Sequence, residues 1–150
     1  MTLHMKAAGC AVVCSIFVGC GANDYVESRY DDLAAARAAG AVASGWIPSF
    51  LPSSATAIRE THNLDTNEVW VTFSAAREVV DGVEACEHSS RGEVVLPRKA
   101  RLTRWPDVLS EGSGGGQSTP SSYVFYRCGT TAFVAVDEAN AKGFFWRRGK

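Results

Sequence analysis

Residues 45–73, GWIPSFLPSSATAIRETHNLDTNEVWVTF, are the stretch from which the fold of this chain is best read. Pro48 and Pro52 exclude a regular helix or a central strand between them, so this part is predicted to be extended or turn-like. Residues 62–67, HNLDTN, are turn formers whose side chains bond their own backbone. Residues 69–73, VWVTF, alternate in a way that predicts a strand. The stretch is therefore interpreted as a connector leading into the first strand of a sheet.

The flanking residues contain helix patterns. Residues 31–40 hold the alanine-rich run LAAARAAG behind Asp31 and Asp32, either of which can cap a short helix. Residues 76–86 repeat apolar side chains at offsets typical of one helix face and predict a second helix. Residues 55–59 are consistent with either a helical turn or an edge strand.

Strand patterns dominate the C-terminal third of the chain. Residues 123–128 and 131–137 flank the Gly-Thr pair at 129–130, which fits a hairpin with a two-residue turn. In that register Tyr126 is predicted to share a face with Thr131 and Phe133. Residues 144–146 predict a last strand, and residues 93–96 a short one. Together with the helices, these patterns predict an α+β fold. We expect one small antiparallel sheet of three to five strands, with two or three short helices packed on one face.

Composition and charge limit the possible functions. The chain has 150 residues, of which 46% are hydrophobic and 21% charged, and its formal net charge is -1. These values are typical of one globular domain, since disordered chains have fewer apolar residues or a larger charge imbalance. Nucleic acid binding needs a concentrated positive field, so we expect no nucleic-acid partner.

The N-terminal residues have the pattern of an export signal. Lys6 precedes an apolar run that ends at Gly19. At about a dozen residues, this run is too short to span a bilayer as a permanent helix. Met1 and Met5 are equally good starts. The run closes on FVGC, residues 17–20, which resembles the lipobox of bacterial lipoproteins.

The lipobox resemblance implies that the signal peptide, residues 1–19, is removed and that Cys20 is acylated. Residues 20–30 are then a lipidated N-terminus and tether, and residues 31–150 form a single globular domain. Because Gly rather than Asp follows Cys20, the resemblance favours the outer membrane, facing the periplasm, in a cell that has one. The open alternative is an ordinary secretory signal with Cys20 as a thiol.

The remaining cysteines predict a disulfide. Cys10 and Cys14 lie inside the signal, and Cys20 is the lipidation residue. Cys86 and Cys128 are left as an even pair in an oxidising compartment, where one bridge is the simplest assignment. A redox pair or a zinc site would need a CxxC spacing or a second pair of ligands.

The block GWxPxxLPxSAxxIRExHxxDTN, residues 45–67, resembles a family of bacterial lipoproteins that carry it soon after an alanine-rich ARAAG helix. The similarity covers about residues 30–75, in addition to the lipobox. It implies export and a shared small α+β fold. The family has no established activity, so the resemblance transfers no catalytic residue.

Five polar side chains of this block form a candidate polar site: Arg59, Glu60, His62, Asp65 and Asn67. A His beside carboxylates can act as a general base or bind a metal. The other interpretation is that Asp65 begins a turn launching the strand, while Arg59 and His62 satisfy backbone groups. Because no HExxH, GxSxG or paired-cysteine zinc signature is present, we expect no metal or other cofactor.

The sequence predicts a membrane-anchored cell-envelope lipoprotein that is a non-enzymatic binding or interaction module. Its expected partners are the lipid bilayer, through acylated Cys20, and as a candidate another envelope protein. The alternative is a small envelope hydrolase or metal-dependent enzyme that uses His62 with nearby carboxylates. A secreted inhibitor is a third hypothesis, although the polar loop over residues 110–122 is too flexible to be a preorganised inhibitory loop.

Overall fold

Seven strands join one antiparallel sheet in the computed structural model, which describes residues 24–75, 86–98, 102–111 and 122–149. The strands are β1 (Tyr25–Asp32), β2 (Thr56–Asn63), β3 (Val69–Ser74), β4 (Glu87–Ser89), β5 (Tyr123–Arg127), β6 (Ala132–Asp137) and β7 (Lys142–Arg147). Their order across the sheet is β1-β2-β3-β7-β6-β5-β4. Two meanders, β1 to β3 and β5 to β7, therefore meet where β3 pairs with β7, and β4 extends the far edge.

The predicted α+β class is wrong, because the described part of the chain is essentially all-β. It contains seven strands but only one α-helix, α1 (Leu33–Ala38), besides a single 3-10 turn at Asp107–Leu109. Two strands escaped the sequence analysis in part or in full. Tyr25–Asp32 was expected to be mostly tether, and the end of Thr56–Asn63 was expected to be a turn. The predicted helix over residues 76–86 lies almost wholly outside the described residues, as does most of the predicted loop over 110–122.

Among the described residues, irregular segments rather than helices cover both faces of the sheet. On the first face, α1 and residues 41–55 pack on apolar side chains of β2, β3, β6 and β7. Ile47 is fully buried there, and Leu51 is almost so. Fully burying an aliphatic side chain contributes about 1.5–3 kcal/mol, so these loop residues hold the segment down without helical hydrogen bonds.

The second face is covered by residues 94–98 and 102–109. Their buried side chains pack against an aromatic layer from β3, β5, β6 and β7. Trp146 is fully buried in this layer, and its indole Nε1 donates a hydrogen bond to the carbonyl of Val95 at 2.8 Å. Burying an indole requires such a partner, because an unsatisfied N–H costs stability.

The helix α1 confirms the predicted capping. The Asp32 carboxylate accepts a hydrogen bond from the backbone N–H of Ala35 at 2.7 Å. Only Leu33 and Ala36 are buried, so this one-turn-and-a-half helix packs through a narrow stripe. Gly40 follows with a φ of 78°, the left-handed conformation that ends helices.

The C-terminal hairpin is confirmed, but its predicted register was shifted by one residue. Tyr126 pairs with Val134 and Val124 with Val136, which leaves residues 129–131 as a three-residue loop. A one-residue shift moves every side chain of a strand to the other face. Thr131 and Phe133, predicted to share a face with Tyr126, therefore belong to the opposite side.

The predicted disulfide between Cys86 and Cys128 is present. It joins the residue before β4 to the residue after β5, with a Cα–Cα distance of 4.3 Å. The bridged cysteines are 42 residues apart, which in the chain-entropy model corresponds to about 4 kcal/mol of stabilisation. The bridge thus fixes the short edge strand β4 to the sheet.

Candidate functional site

Two residues of the predicted site, Glu60 and His62, lie side by side inside the protein. They are two apart on β2, and alternation along a strand points both toward the first face. Glu60 is 1% exposed and His62 is 6% exposed. The Glu60 carboxyl Oε1 lies 2.7 Å from His62 Nδ1, so the two groups share a hydrogen bond. The pair is a buried polar contact within an otherwise apolar core.

Trp46 covers this pair. Its ring stacks on the His62 imidazole with centroids 3.8 Å apart and planes 7° from parallel. Arg147 lies at the end of β7, and its guanidinium is 5.8 Å from the centre of the Trp46 ring. It also donates hydrogen bonds to the backbone carbonyls of Gly45, at 3.1 Å, and Asn67, at 3.4 Å. Arg147 therefore connects the covering loop to the β2–β3 turn and keeps the indole over the histidine.

Burial shifts both members of the pair toward their neutral forms. It raises the pKa of Glu60 to about 8, although a hydrogen bond with Ser28 on β1 partly opposes the rise. Burial also lowers the pKa of His62, and the positive charge of Arg147 adds to this effect. At pH 7 the stable form is therefore a carboxylic acid hydrogen-bonded to a neutral imidazole.

The other three predicted residues lie elsewhere. Arg59 sits between Glu60 and Ile58 on β2 and points to the second face. Asp65 and Asn67 belong to the turn between β2 and β3, with Asp65 exposed and Asn67 at a φ of 59°. No hydrogen bond joins either side chain to His62 in the described part of the chain. The structure brings together two of the five predicted residues.

The β2–β3 turn is organised by a residue that sequence reasoning did not select. The Asn63 side-chain oxygen accepts hydrogen bonds from the backbone N–H groups of Asp65, at 2.9 Å, and Thr66, at 2.8 Å. This is an Asx-type turn. The turn leaves Leu64 57% exposed at its tip, and the Leu64 N–H donates to the carbonyl of Asp24 at 2.8 Å.

A second polar region, also missed by the sequence analysis, lies on the opposite face. Arg59 is part of the wall of a cavity of about 270 Å³, which we call the cationic cavity. Its remaining polar walls come from distant parts of the chain: Thr72, Ser74, Arg104, Tyr123, Asp137, Asn140 and Lys142. Only the assembled sheet brings these residues together, so no local sequence pattern could indicate the site.

Across the described ranges, no three His, Cys, Asp or Glu side chains are grouped closely enough to hold a metal ion. The same residues contain no helix long and apolar enough to cross a membrane.

The comparison with protein families gives one match. The family model of the YbbD head domain matches residues 24–74. This segment corresponds to the first meander, from β1 through α1 and the covering loop to β3, and it includes the Glu60–His62 pair and Trp46. No curated protein and no solved structure matches the chain. The match covers about a third of the chain and describes similarity in that part alone.

Proposed function

We propose that this chain is a lipid-anchored cell-envelope protein that acts as a binding module rather than an enzyme. The anchor is acyl chains on Cys20, held in the outer membrane and facing the periplasm where the cell has two membranes. The proposal of binding rather than catalysis rests on one observation: the Glu60–His62 pair is buried and covered by the Trp46 ring. A general base must come within hydrogen-bond reach of the substrate proton it removes.

The closed pair argues against the enzyme alternative. A substrate would have to displace the Trp46 ring, which lies 3.8 Å from the imidazole, before it could meet His62. The Glu60 carboxyl is protonated at neutral pH and bonded to His62 Nδ1, so it does not act as a free carboxylate ligand or base. The pair is better suited to fixing the covering loop than to chemistry on a substrate.

The position of Asp24, the first residue that the structure describes, supports the proposed anchor. Cys20 precedes Asp24 by four residues, and such a segment spans at most about 14 Å when fully extended. The backbone carbonyl of Asp24 accepts a hydrogen bond from the N–H of Leu64, at the tip of the β2–β3 turn. The exposed Arg148 follows β7 at the same end of the sheet. A lipid on Cys20 therefore holds this end, which we call the anchor end, against the bilayer.

Two side chains at the anchor end, one apolar and one basic, can contact a bilayer surface, while Asp65 beside Leu64 is an exposed acidic residue. Leu64 offers an apolar contact at the turn tip, and Arg148 offers a positive charge. Anionic headgroups attract such basic residues by about 1 kcal/mol each near the surface. Neither contact would anchor the protein alone, whereas acyl chains contribute about 0.8 kcal/mol per buried methylene.

Fractionation of cells that produce the full chain tests the anchor. We expect the wild-type protein in the membrane fraction and the Cys20→Ser variant in the soluble periplasmic or secreted fraction. Cys14→Ser is the matched control, because it changes a cysteine of the same signal outside the lipobox, and it should stay with the membrane. Intact mass of the wild type should exceed that of the processed polypeptide by the mass of the acyl groups. Membrane association of Cys20→Ser equal to that of the wild type would overturn the proposal.

A further inference from the structure

The cationic cavity lies at the end of the sheet opposite the anchor end. Its walls include Ala57 at the start of β2, Ser74 at the end of β3 and Asn140 in the β6–β7 turn. The cavity opens on the second face, whereas the Glu60–His62 pair is on the first. It is therefore a separate site. Of the five residues of the predicted polar site, Arg59 is the one that lines it.

Three cationic side chains line this cavity. Arg59, Arg104 and Lys142 make no side-chain hydrogen bond or ion pair within the ranges that the structure describes. Among the described residues, Asp137 is the one carboxylate in the wall. Three positive charges and one negative charge leave an excess of two positive charges around one small space. An anion that enters this space would meet a positive excess from three side chains.

The backbone around the cavity is unusual as well. Ala57 and Arg104, both in its wall, have φ values of 50° and 70°, and Ala141, next to two wall residues, has a φ of 50°. Side chains other than glycine rarely adopt this left-handed region, and such residues cluster at functional sites. Three of the four described non-glycine residues with positive φ are thus at this one place.

A β-bulge explains how Arg59 reaches the cavity. β2 takes three steps from Thr56 to Arg59, while its partner β3 takes two, from Ser74 to Thr72. The extra residue is accommodated around Ala57, where the positive φ occurs. Bulges change the direction of nearby side chains and are frequent beside binding sites.

We infer that the cationic cavity binds a small phosphate monoester. The unpaired cations and the size of the cavity carry the inference, which deepens the proposed binding function and rests on it. A phosphate monoester carries close to two negative charges on one group at neutral pH, which matches the excess of two. Guanidinium groups bind phosphate oxygens through paired hydrogen bonds. The cavity of about 270 Å³ holds about nine water volumes, enough for the phosphate and a short polyol.

The remaining walls suit the organic part of such a ligand. Asp137 Oδ2 accepts a hydrogen bond from Asn140 Nδ2 at 2.7 Å, which fixes a polar surface for ligand hydroxyl groups. The Tyr123 hydroxyl stays protonated and can donate, because burial and the charge of Asp137 raise its pKa. Phe144 contributes an apolar wall. A dicarboxylate carries its two charges on separate groups, so it is the comparison ligand of equal charge.

Isothermal titration calorimetry on the full-length acylated chain in a non-ionic detergent tests the inference. The probes are glycerol 3-phosphate, succinate and acetate. We expect measurable binding of glycerol 3-phosphate, at least about 10-fold weaker binding of succinate, and none of acetate. Arg59→Gln, Arg104→Gln and Lys142→Gln should each weaken phosphate binding about 10-fold or more, as expected for loss of a charge-assisted hydrogen bond.

Two controls separate this inference from the proposed function. Arg127→Gln removes an arginine that pairs with Glu87 on β4, at the end of β5 away from the cavity, and should bind like the wild type. The Cys20→Ser variant should also bind normally, because the cavity is far from the anchor end. Lys142 is exposed, so its variant should fold even if Arg59→Gln does not. The inference is overturned if glycerol 3-phosphate does not bind, if succinate binds as tightly, or if Lys142→Gln and Arg104→Gln bind like Arg127→Gln, whatever the outcome of fractionation.

Discussion

Glu60 is a carboxylic acid placed where water cannot reach it, and its partners fit its neutral form. His62 Nδ1 lies at hydrogen-bond distance from the carboxyl group, and Ser28 on the neighbouring strand also bonds it. A protonated carboxyl can donate to the imidazole and accept from the serine hydroxyl at the same time. The same pair that resembled a catalytic dyad in the sequence therefore acts as a joint between β2 and the loop that carries Trp46.

The raised pKa of Glu60 makes the stability of the fold depend on pH. Between pH 4.5 and about 8 the folded state keeps a proton on Glu60 that the unfolded state releases, so stability falls as pH rises. His62 acts in the opposite direction, but only below pH 6.5, because its folded-state pKa is lowered. The two effects oppose each other between the lowered pKa of His62 and pH 6.5, and above pH 6.5 the Glu60 effect acts alone.

Urea unfolding of the soluble Cys20→Ser form measures this dependence. From pH 6.5 to 8 the free energy of unfolding should fall by about 2 kcal/mol, from a slope of about 1.4 kcal/mol per pH unit. Glu60→Gln keeps the contact with His62 and should remove the fall. It should instead gain stability as pH rises toward 6.5. Glu27→Gln, on exposed β1, should retain the wild-type profile. A flat wild-type profile above pH 6.5 would contradict the assignment.

At the scale of elements, local patterns could be predicted and long-range ones could not. The capped helix α1, the strand β3 and the strand β7 depend on their own periodicity, and all three were predicted. β2 was missed at its end because Thr61, His62 and Asn63 have turn-forming or neutral propensities. Their strand conformation comes from pairing with β1 on one side and β3 on the other, which outweighs propensity.

Local sequence patterns also could not predict the cationic cavity or the packing of Trp46 over His62, because both join distant parts of the chain. Arg59 and Arg104 are 45 positions apart in the sequence, as their numbers show, and meet only when the second face is covered. Trp46 and Arg147 are likewise far apart in the sequence and meet only in the folded protein. One signal was available for Glu60 and His62: had residues 56–63 been taken as a strand, their spacing of two would have placed them on one face.

The irregular covering segments should matter as much to stability as helices would. Ile47 and Leu109 are both fully buried, one in each cover. Truncation of either to Ala should lower the free energy of unfolding by about 2–5 kcal/mol, the usual cost of a cavity in a core. Val26→Ala, at a 37% exposed position on the edge strand, should cost much less. Equal and small effects for Ile47→Ala and Val26→Ala in urea unfolding would show that the first cover is not part of the core.

At the scale of the whole molecule, the sheet separates two ends with different chemistry. The anchor end has the start of β1, the tip of the β2–β3 turn and Arg148. The opposite end has the cationic cavity and the β6–β7 turn. Strands of five to eight residues lie between them, a length of roughly 17–27 Å at about 3.4 Å per residue. The proposed lipid anchor at one end would therefore keep the cavity open to the surrounding solution.

Depth-dependent fluorescence quenching of the acylated protein in vesicles with brominated lipids tests this arrangement most directly. A tryptophan is introduced at the anchor end by Leu64→Trp and at the opposite end by Ala139→Trp, both exposed positions, and each is compared with the parent protein. We predict added quenching for Leu64→Trp and none for Ala139→Trp. Equal quenching at both positions, or stronger quenching for Ala139→Trp, would contradict a domain held to the membrane by its anchor end with the cavity facing away.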